Sequence, residues 1–395
     1  MRKVLWCCTG LLISLLILGV CSGAAGRDGP ILIGATISLE GKYREPSKMI
    51  REAFQLWETQ VNQKGGIRGR RIKLILYDDK SDPQLAVELY GKLITEDKVD
   101  LVFSPYGTPL TLAASEISEK YKYTMLACAA AGNAIWQRGH RYVFGMYAPA
   151  DRMFIGLLDM MAQKGRNTLA VIYDDTSSFN RDVVAGIEQW AGRLRLKITY
   201  RKGYDNGPED LPGIVTQLRD VNADGLIVSA YPPDCHALLH LFHKNGYRPG
   251  VLGMTIAPIH PDFQKIVGAE ADHVFGSSQW EPDERIPFPG TKRFIRAFES
   301  FTGHLPSYHA GSAYAACQLF EDAIQRTDSL DNDKIRNYIA ALDTVTVIGR
   351  FKVDPTGRQI GHNTFIIQWQ NGKKEIVWPS KMRTAEPIIP MKGAD

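Results

Sequence analysis

Short apolar runs separated by amphipathic stretches recur in two successive sets along this chain, and that pattern limits its possible folds more than any other feature. Runs at 31–39, 72–79, 99–106 and 124–130 read as strands, with helices near 47–63, 83–97 and 109–121 between them. After 142–147 the pattern restarts, with strands at 169–175, 196–204, 225–231 and 251–257 and helical segments between them. Strand–helix–strand units of this length build parallel sheets with right-handed crossings, so an α/β fold with two doubly wound sheets is expected. Tyr77-Asp78-Asp79 and Tyr173-Asp174-Asp175 each end a strand, a short echo between the two sets. Beyond Trp280 the periodicity predicts helices near 290–301, 307–326 and 331–340. A short strand at 351–354 follows, then a hairpin of 364–370 and 373–378 turning at Asn371-Gly372. No Gly/Ser-rich linker separates the sets, so short crossings that can bend should join two lobes.

At 395 residues the chain exceeds a single ordinary core, which agrees with two lobes. With 47 basic and 43 acidic residues the field is too weak to attract nucleic acid, and small molecules are the expected partners. Arg2 and Lys3 precede an uncharged stretch at 4–20, and Ser22-Gly23-Ala24-Ala25 follows, the pattern of a cleaved export signal over 1–25. The expected location is the periplasm. Leu18-Gly19-Val20-Cys21 offers lipid anchoring through Cys21 as a second option, with Val20 where such a motif has Gly or Ala. Cleavage after Ala25 leaves Cys128, Cys235 and Cys317, scattered in apolar stretches and read as small buried hydrophobes.

GxGxxG, GxxxxGK[ST], HExxH and GxSxG are all absent from the sequence, so catalytic and nucleotide readings have no support, and neither enzyme activity nor a cofactor is expected. His236, His240 and His243 share one side of a helix at metal-like offsets, but they oppose Leu238, Leu239 and Phe242 and read as a solvent-facing stripe, so no metal is expected.

The binding chemistry of such folds lies beyond the carboxyl ends of the strands. There Gly107-Thr108-Pro109 reads as a flexible residue, an N-cap hydroxyl and a first-turn proline, a seat for a carboxylate. Ala129-Ala130-Ala131-Gly132-Asn133 is a second, small-residue turn that lets a ligand approach the backbone. Tyr43, Tyr106, Trp136, Phe179, Tyr231, Trp280 and Tyr314 supply aromatic surface near these turns, with Phe179 and Tyr231 placed to form the opposite wall.

Asn62-x-x-Gly65-Gly66-Ile67-x-Gly69, Asp78-Asp79, Asp82-Pro83 and the closing Asp354-Pro355-x-Gly357 with its hairpin resemble the leucine/isoleucine/valine-binding family of periplasmic binding proteins that serve ABC transporters. The resemblance covers nearly the whole mature chain. It implies a type I periplasmic-binding-protein fold, two Rossmann-like lobes joined by three crossings. The expected division is 26–147 plus 277–347 for lobe 1 and 148–276 plus 348–385 for lobe 2. It implies a monomer that captures an amino acid or related small carboxylate or amide in the cleft and delivers it to a membrane permease. A ligand-sensing receptor lobe of the same fold is the alternative.

By position, the resemblance assigns the ligand carboxylate to Thr108, the carboxylate and ammonium to the loop at Ala129, Ala130 and Ala131, a second-lobe contact to Tyr231, and pocket walls to Tyr43, Phe179 and Tyr314. Two departures alter the expected ligand: Ala131 replaces a ligand-contacting Thr, and Thr255 replaces the Glu that pairs with the ammonium. Removing one partner of a buried ion pair costs ~3–5 kcal/mol, so the departures point to a ligand without a standard α-ammonium, of aromatic type, unless Asp234 or Glu281 stands in for the Glu. Ser81 and Gly107 occupy the positions of a disulfide in the leucine-type members, and both cysteines are gone together.

Overall fold

The computed structural model describes residues 29–389. The expected export signal and Cys21 lie outside the described residues. The first set of elements is β1 (Ile31–Ile37), α1 (Arg44–Gln63), β2 (Ile72–Asp78), α2 (Pro83–Thr95), β3 (Leu101–Phe103), α3 (Thr108–Tyr121), β4 (Met125–Ala127) and β5 (Val143–Gly145). Its strands form one parallel sheet in the order β2-β1-β3-β4-β5. The local chemistry sets the helix starts: the Asp82 carboxylate accepts the amides of Gln84 at 2.7 Å and Leu85 at 3.3 Å, and Pro83 takes the first turn of α2, where no amide is needed.

The second set is α4 (Ile155–Gln163), β6 (Thr168–Asp174), α5 (Ser178–Arg193), β7 (Lys197–Tyr204), α6 (Leu211–Val221), β8 (Gly225–Ser229), α7 (Pro232–Lys244), β9 (Val251–Met254), α8 (Phe263–Val267) and β10 (Val274–Ser278). The chain then returns to the first sheet as α9 (Thr291–Thr302), α10 (Tyr308–Thr327) and α11 (Asn332–Ala341), with α10 packed along α1. A small hairpin, β11 (Asp343–Thr346) and β12 (Gly349–Lys352), precedes β13 (Phe365–Gln370) and β14 (Lys373–Trp378). The second sheet runs β14-β13-β10-β9-β8-β6-β7, with β13 antiparallel to β10 and β14 antiparallel to β13. Asn371 and Gly372 have φ of 49° and 80°, the paired positive values of the two-residue turn that their sequence predicts.

The sequence reading contains no strand at β10 or β11. Val-Phe-Gly-Ser-Ser has too few large apolar residues to register as a run, yet every residue of β10 is buried. Its hydroxyls are satisfied by backbone carbonyls, Ser277 donating to Met153 at 2.6 Å and Ser278 to Trp280 at 2.7 Å, so polar residues can sit in a central strand. Cys128, Cys235 and Cys317 are buried free thiols, and burial pushes the Cys128 thiol up to about 12.

Three passages join the sheets, β5 to α4, β10 to α9 and β12 to β13, and they lie against one another. The Gln279 side chain accepts the Ala148 amide at 2.8 Å and donates to the Ala148 carbonyl at 3.2 Å. The Gly145 amide donates to the Gly357 carbonyl at 2.8 Å, and the Arg358 guanidinium donates to the Asp151 carboxylate at 3.0 Å. Gly357 has φ of +84°, and a Cβ there would stand 2.1 Å from the Val143 carbonyl oxygen. Gly357→Ala therefore combines left-handed strain with a backbone clash at the hinge, and should destabilise the protein by about 2 kcal/mol or more in urea unfolding.

Candidate functional site

The carboxyl ends of both sheets face a common cleft. In the first sheet, buried Asp79 ties the ends of β1 and β2 together, accepting from the hydroxyls of Thr36 at 2.6 Å and Ser38 at 2.5 Å and from the Ser81 amide at 3.0 Å. Burial raises its carboxyl above the ordinary range, against the pull of these hydrogen bonds. Ser81, in place of a disulfide cysteine, pins the loop that carries Tyr43: its hydroxyl accepts the Tyr43 amide at 3.2 Å and donates to the Glu40 carbonyl at 2.7 Å.

Gly107, with φ of 81°, is the N-cap of α3, so Thr108 and Pro109 both lie inside the first turn. This corrects the expected capping role of Thr108. Its hydroxyl instead accepts the Gly132 amide at 3.0 Å, joining the β3–α3 and β4 loops, while its own proton remains available. The alanine loop alternates: Ala129 and Ala131 face the cleft, while Ala130 packs behind the sheet with Tyr90, Ile135 and Trp136.

In the second sheet, Phe179 stands in the first turn of α5, Tyr231 at the N-cap of α7 and Ile256 just after β9. Together with the first lobe they close a narrow cavity, with about 20 Å³ for the centres of water-sized molecules. Tyr106, Thr108, Phe179, Tyr231, Gln279 and Tyr308 are among its lining residues, and none of the lining side chains is an acid or a base. Burial holds the Tyr106 and Tyr147 phenols well above their ordinary range and that of Tyr231 up to about 12, so these walls are neutral hydrogen-bond donors.

Of the residues singled out in the sequence, Thr108, Ala129, Ala131, Phe179 and Tyr231 line this cavity. Tyr43 lies directly behind it, its ring centroid 4.9 Å from Tyr231 and 5.5 Å from Tyr106, and it meets the opposite lobe edge-on. Thr255 is placed differently from expectation. Its hydroxyl donates to the Ala230 carbonyl at 2.6 Å and accepts the Ala230 amide at 3.1 Å, so it braces the β8 and β9 loops and leaves the cavity wall to Ile256. Tyr314 is also placed elsewhere: its ring packs at a tilt against Phe294, and its hydroxyl donates to Gln60 at 2.5 Å. Six residues along a helix turn the side chain by roughly 240° and advance it ~9 Å, so Tyr308, in the first turn of α10, takes the cavity position instead.

Trp136 and Trp280 are core residues, the latter against Phe294. Tyr106, Gly107, Tyr147, Met153, Ile256, Gln279 and Tyr308 complete the cavity lining; of these the flexible Gly107 turn and the aromatic Tyr106 were legible as sequence features.

The two acids considered as substitutes for the missing Glu are engaged elsewhere. Glu281 pairs with Lys374 at 2.7 Å, both nearly fully buried, and Asp234 accepts from the Tyr204 hydroxyl at 2.7 Å. At the cleft mouth Lys42 lies 5.2 Å over the Tyr43 ring and 5.4 Å over that of Tyr231, a cation placed across both lobes. A second link between lobes runs from the Asn133 amide to the Asp182 carboxylate at 2.7 Å. His236 packs beside Phe263 and His243 faces Glu270 at 3.9 Å; among the described residues no group of three or more His, Cys, Asp or Glu is placed to hold a metal.

A parallel and a mixed sheet joined by three braced crossings, with an uncharged cavity between their carboxyl ends, define a two-lobed solute-binding protein. The model of the periplasmic binding protein family matches residues 30–374, and the chain belongs to that family. It is similar to the Leu/Ile/Val-binding protein homolog 7 of Brucella suis biovar 1 (strain 1330), 24% identical over 96% of this chain and 99% of that protein. In structure it is similar to the leucine-binding protein LivK of Thermotoga maritima MSB8, with a TM-score of 0.80, 18% identity and coverage of 88% of this chain and 97% of that one. It is also similar to an ABC-transporter solute-binding protein of Rhodopseudomonas palustris BisB5 in complex with 3,4-dihydroxybenzoic acid, with a TM-score of 0.76, 21% identity and coverage of 87% and 95%.

His362, in the third crossing, is fully buried, and burial holds its imidazole down to about 4, with the Gln279 backbone opposing. An unfolded His titrates near 6.5. Folding therefore favours the neutral form, and that stability is complete above pH 6.5 and lost as pH falls toward 4, by about 3 kcal/mol across the window. His309, lowered well below its ordinary value by burial, adds in the same direction. His362→Gln should flatten part of this slope when urea midpoints at pH 7 and pH 4.5 are compared with those of the wild type.

Proposed function

We propose that this protein is the extracytoplasmic solute-binding component of an ABC transporter and that it captures a small carboxylate or amide of aromatic type, lacking an α-ammonium, in the cavity between its two sheets. The observation that carries the reading is the absence of any acid among the cavity-lining residues, with Glu281 and Asp234 both committed elsewhere. A buried ammonium would find no counter-charge here. A carboxylate would find the positive end of α3, the Thr108 hydroxyl and neutral phenols, and its flat ring would lie between Phe179, Met153 and the tyrosines. The dihydroxybenzoate-bound neighbour agrees with such chemistry.

In this reading the protein is exported to the periplasm, acts as a monomer without cofactor, and hands its solute to a membrane permease. Its two lobes divide near residues 147, 277 and 347. Closure brings Tyr43 and Lys42 onto Tyr231, so the mouth shuts by aromatic and cation–π contact once the ligand bridges both lobes. The protein is a carrier and performs no chemistry on its solute.

Thermal-shift titration of the purified protein against benzoate, 3,4-dihydroxybenzoate, benzamide, phenylalanine and leucine tests this. The aromatic acids or amides should stabilise it, by ~4 kcal/mol at a thousandfold excess over Kd. Tight leucine binding, with no response to the aromatic ligands, would sink the reading. For an acid that binds, Thr108→Val should raise Kd by about ten- to a hundredfold, the worth of one hydrogen bond to a charged group.

A further inference from the structure

We propose that Tyr147 is a ligand-reading residue, whose hydroxyl hydrogen-bonds a second polar oxygen on the solute, a ring hydroxyl or carbonyl distinct from the carboxylate seated at Thr108. The proposal rests on the aromatic-acid reading and specifies its substrate: an aromatic acid with a further oxygen on its ring. Tyr147 follows β5 at the first crossing and lines the cavity, only 5% exposed. Its Oη is fully buried and has no hydrogen-bond partner.

The groups around it are engaged or apolar. The Gln279 amide is held by the backbone of Ala148, the Met153 carbonyl takes the Ser277 hydroxyl, and Tyr308 presents its ring at 5.3 Å and 84° rather than a polar atom. An unpaired buried hydroxyl costs ~1–3 kcal/mol, and a core position would favour Phe. Other orphaned polar atoms, such as Ser47 Oγ and Trp280 Nε1, belong to residues outside the cavity lining. Tyr147 combines an orphaned donor with a place on the cavity wall. Burial keeps the phenol protonated, so it donates throughout the physiological pH range.

The test compares wild type and Tyr147→Phe by calorimetric titration with benzoate, 3-hydroxybenzoate, 4-hydroxybenzoate, 3,4-dihydroxybenzoate and leucine. In the wild type at least one hydroxybenzoate should bind about tenfold or more tightly than benzoate. Tyr147→Phe should abolish that preference, weakening the hydroxylated acid about tenfold while leaving benzoate unchanged or tighter. The ligand-free variant should melt at or above the wild-type temperature, because the substitution removes an unpaired hydroxyl without opening a cavity; that readout separates a lost contact from a damaged fold. Equal affinities of wild type and variant for every benzoate, or an equal loss for all of them, would overturn the role of Tyr147 while leaving the aromatic-acid reading intact. Binding of leucine alone would overturn both.

Discussion

The Gln279 side chain holds Ala148 by both polar groups of its backbone, and the geometry of the cleft depends on that pairing. It ties the second crossing to the first at a depth where water is excluded and an unmet backbone group would be costly. The third crossing is added through Gly357, which can approach β5 because it has no Cβ, and through Arg358 on Asp151. Three passages of chain are thus braced at one place, beside the carboxyl ends of both sheets. Gln279, in the second crossing, also lines the cavity, as do Tyr147 and Met153 in the first, so the crossings and the cavity share residues.

The cavity is unusual in its electrostatics more than in its shape. Charges are present close by, but each is engaged or kept at the mouth: Lys374 is ion-paired with Glu281, Asp234 accepts from the Tyr204 hydroxyl, and Lys42 lies over two aromatic rings. What lines the cavity is a set of hydroxyls, a helix N-terminus and aromatic faces. Such a surface favours an anion that accepts hydrogen bonds, and offers a cation nothing equivalent.

Much of this site was legible in the sequence because strand ends and helix starts carry local signals. Gly107-Thr108-Pro109 and the alanine loop were recognisable as strand-end turns, and Phe179 and Tyr231 as an opposite wall, from their positions just past strands, and Thr108, Ala129, Ala131, Phe179 and Tyr231 line the cavity. Tyr314, assigned by resemblance and aromatic character, does not line the cavity, because which face of α10 meets the cleft is set by packing, and Tyr308 at the first turn stands there. Thr255 was correctly located after β9, but which of two adjacent residues points inward depends on the hydrogen bonds its hydroxyl finds, and those come from Ala230 on a neighbouring strand. Tyr147 and Gln279 had no local signal, since both stand in crossings without regular periodicity.

The sequence by itself determined the two sets of alternating strands and helices, the closing hairpin and the loss of the acid expected after β9, because periodicity, turn residues and residue identity are local properties. Tertiary structure decided the rest: that β10, with two serines, is a central strand, that Glu281 and Asp234 are spent on Lys374 and Tyr204, and that Tyr147 lines the cavity with its buried hydroxyl unpartnered. These outcomes depend on groups tens to hundreds of residues apart in the chain. Whether a buried polar atom is satisfied, and so whether it remains available to a ligand, is settled only when those groups are brought together.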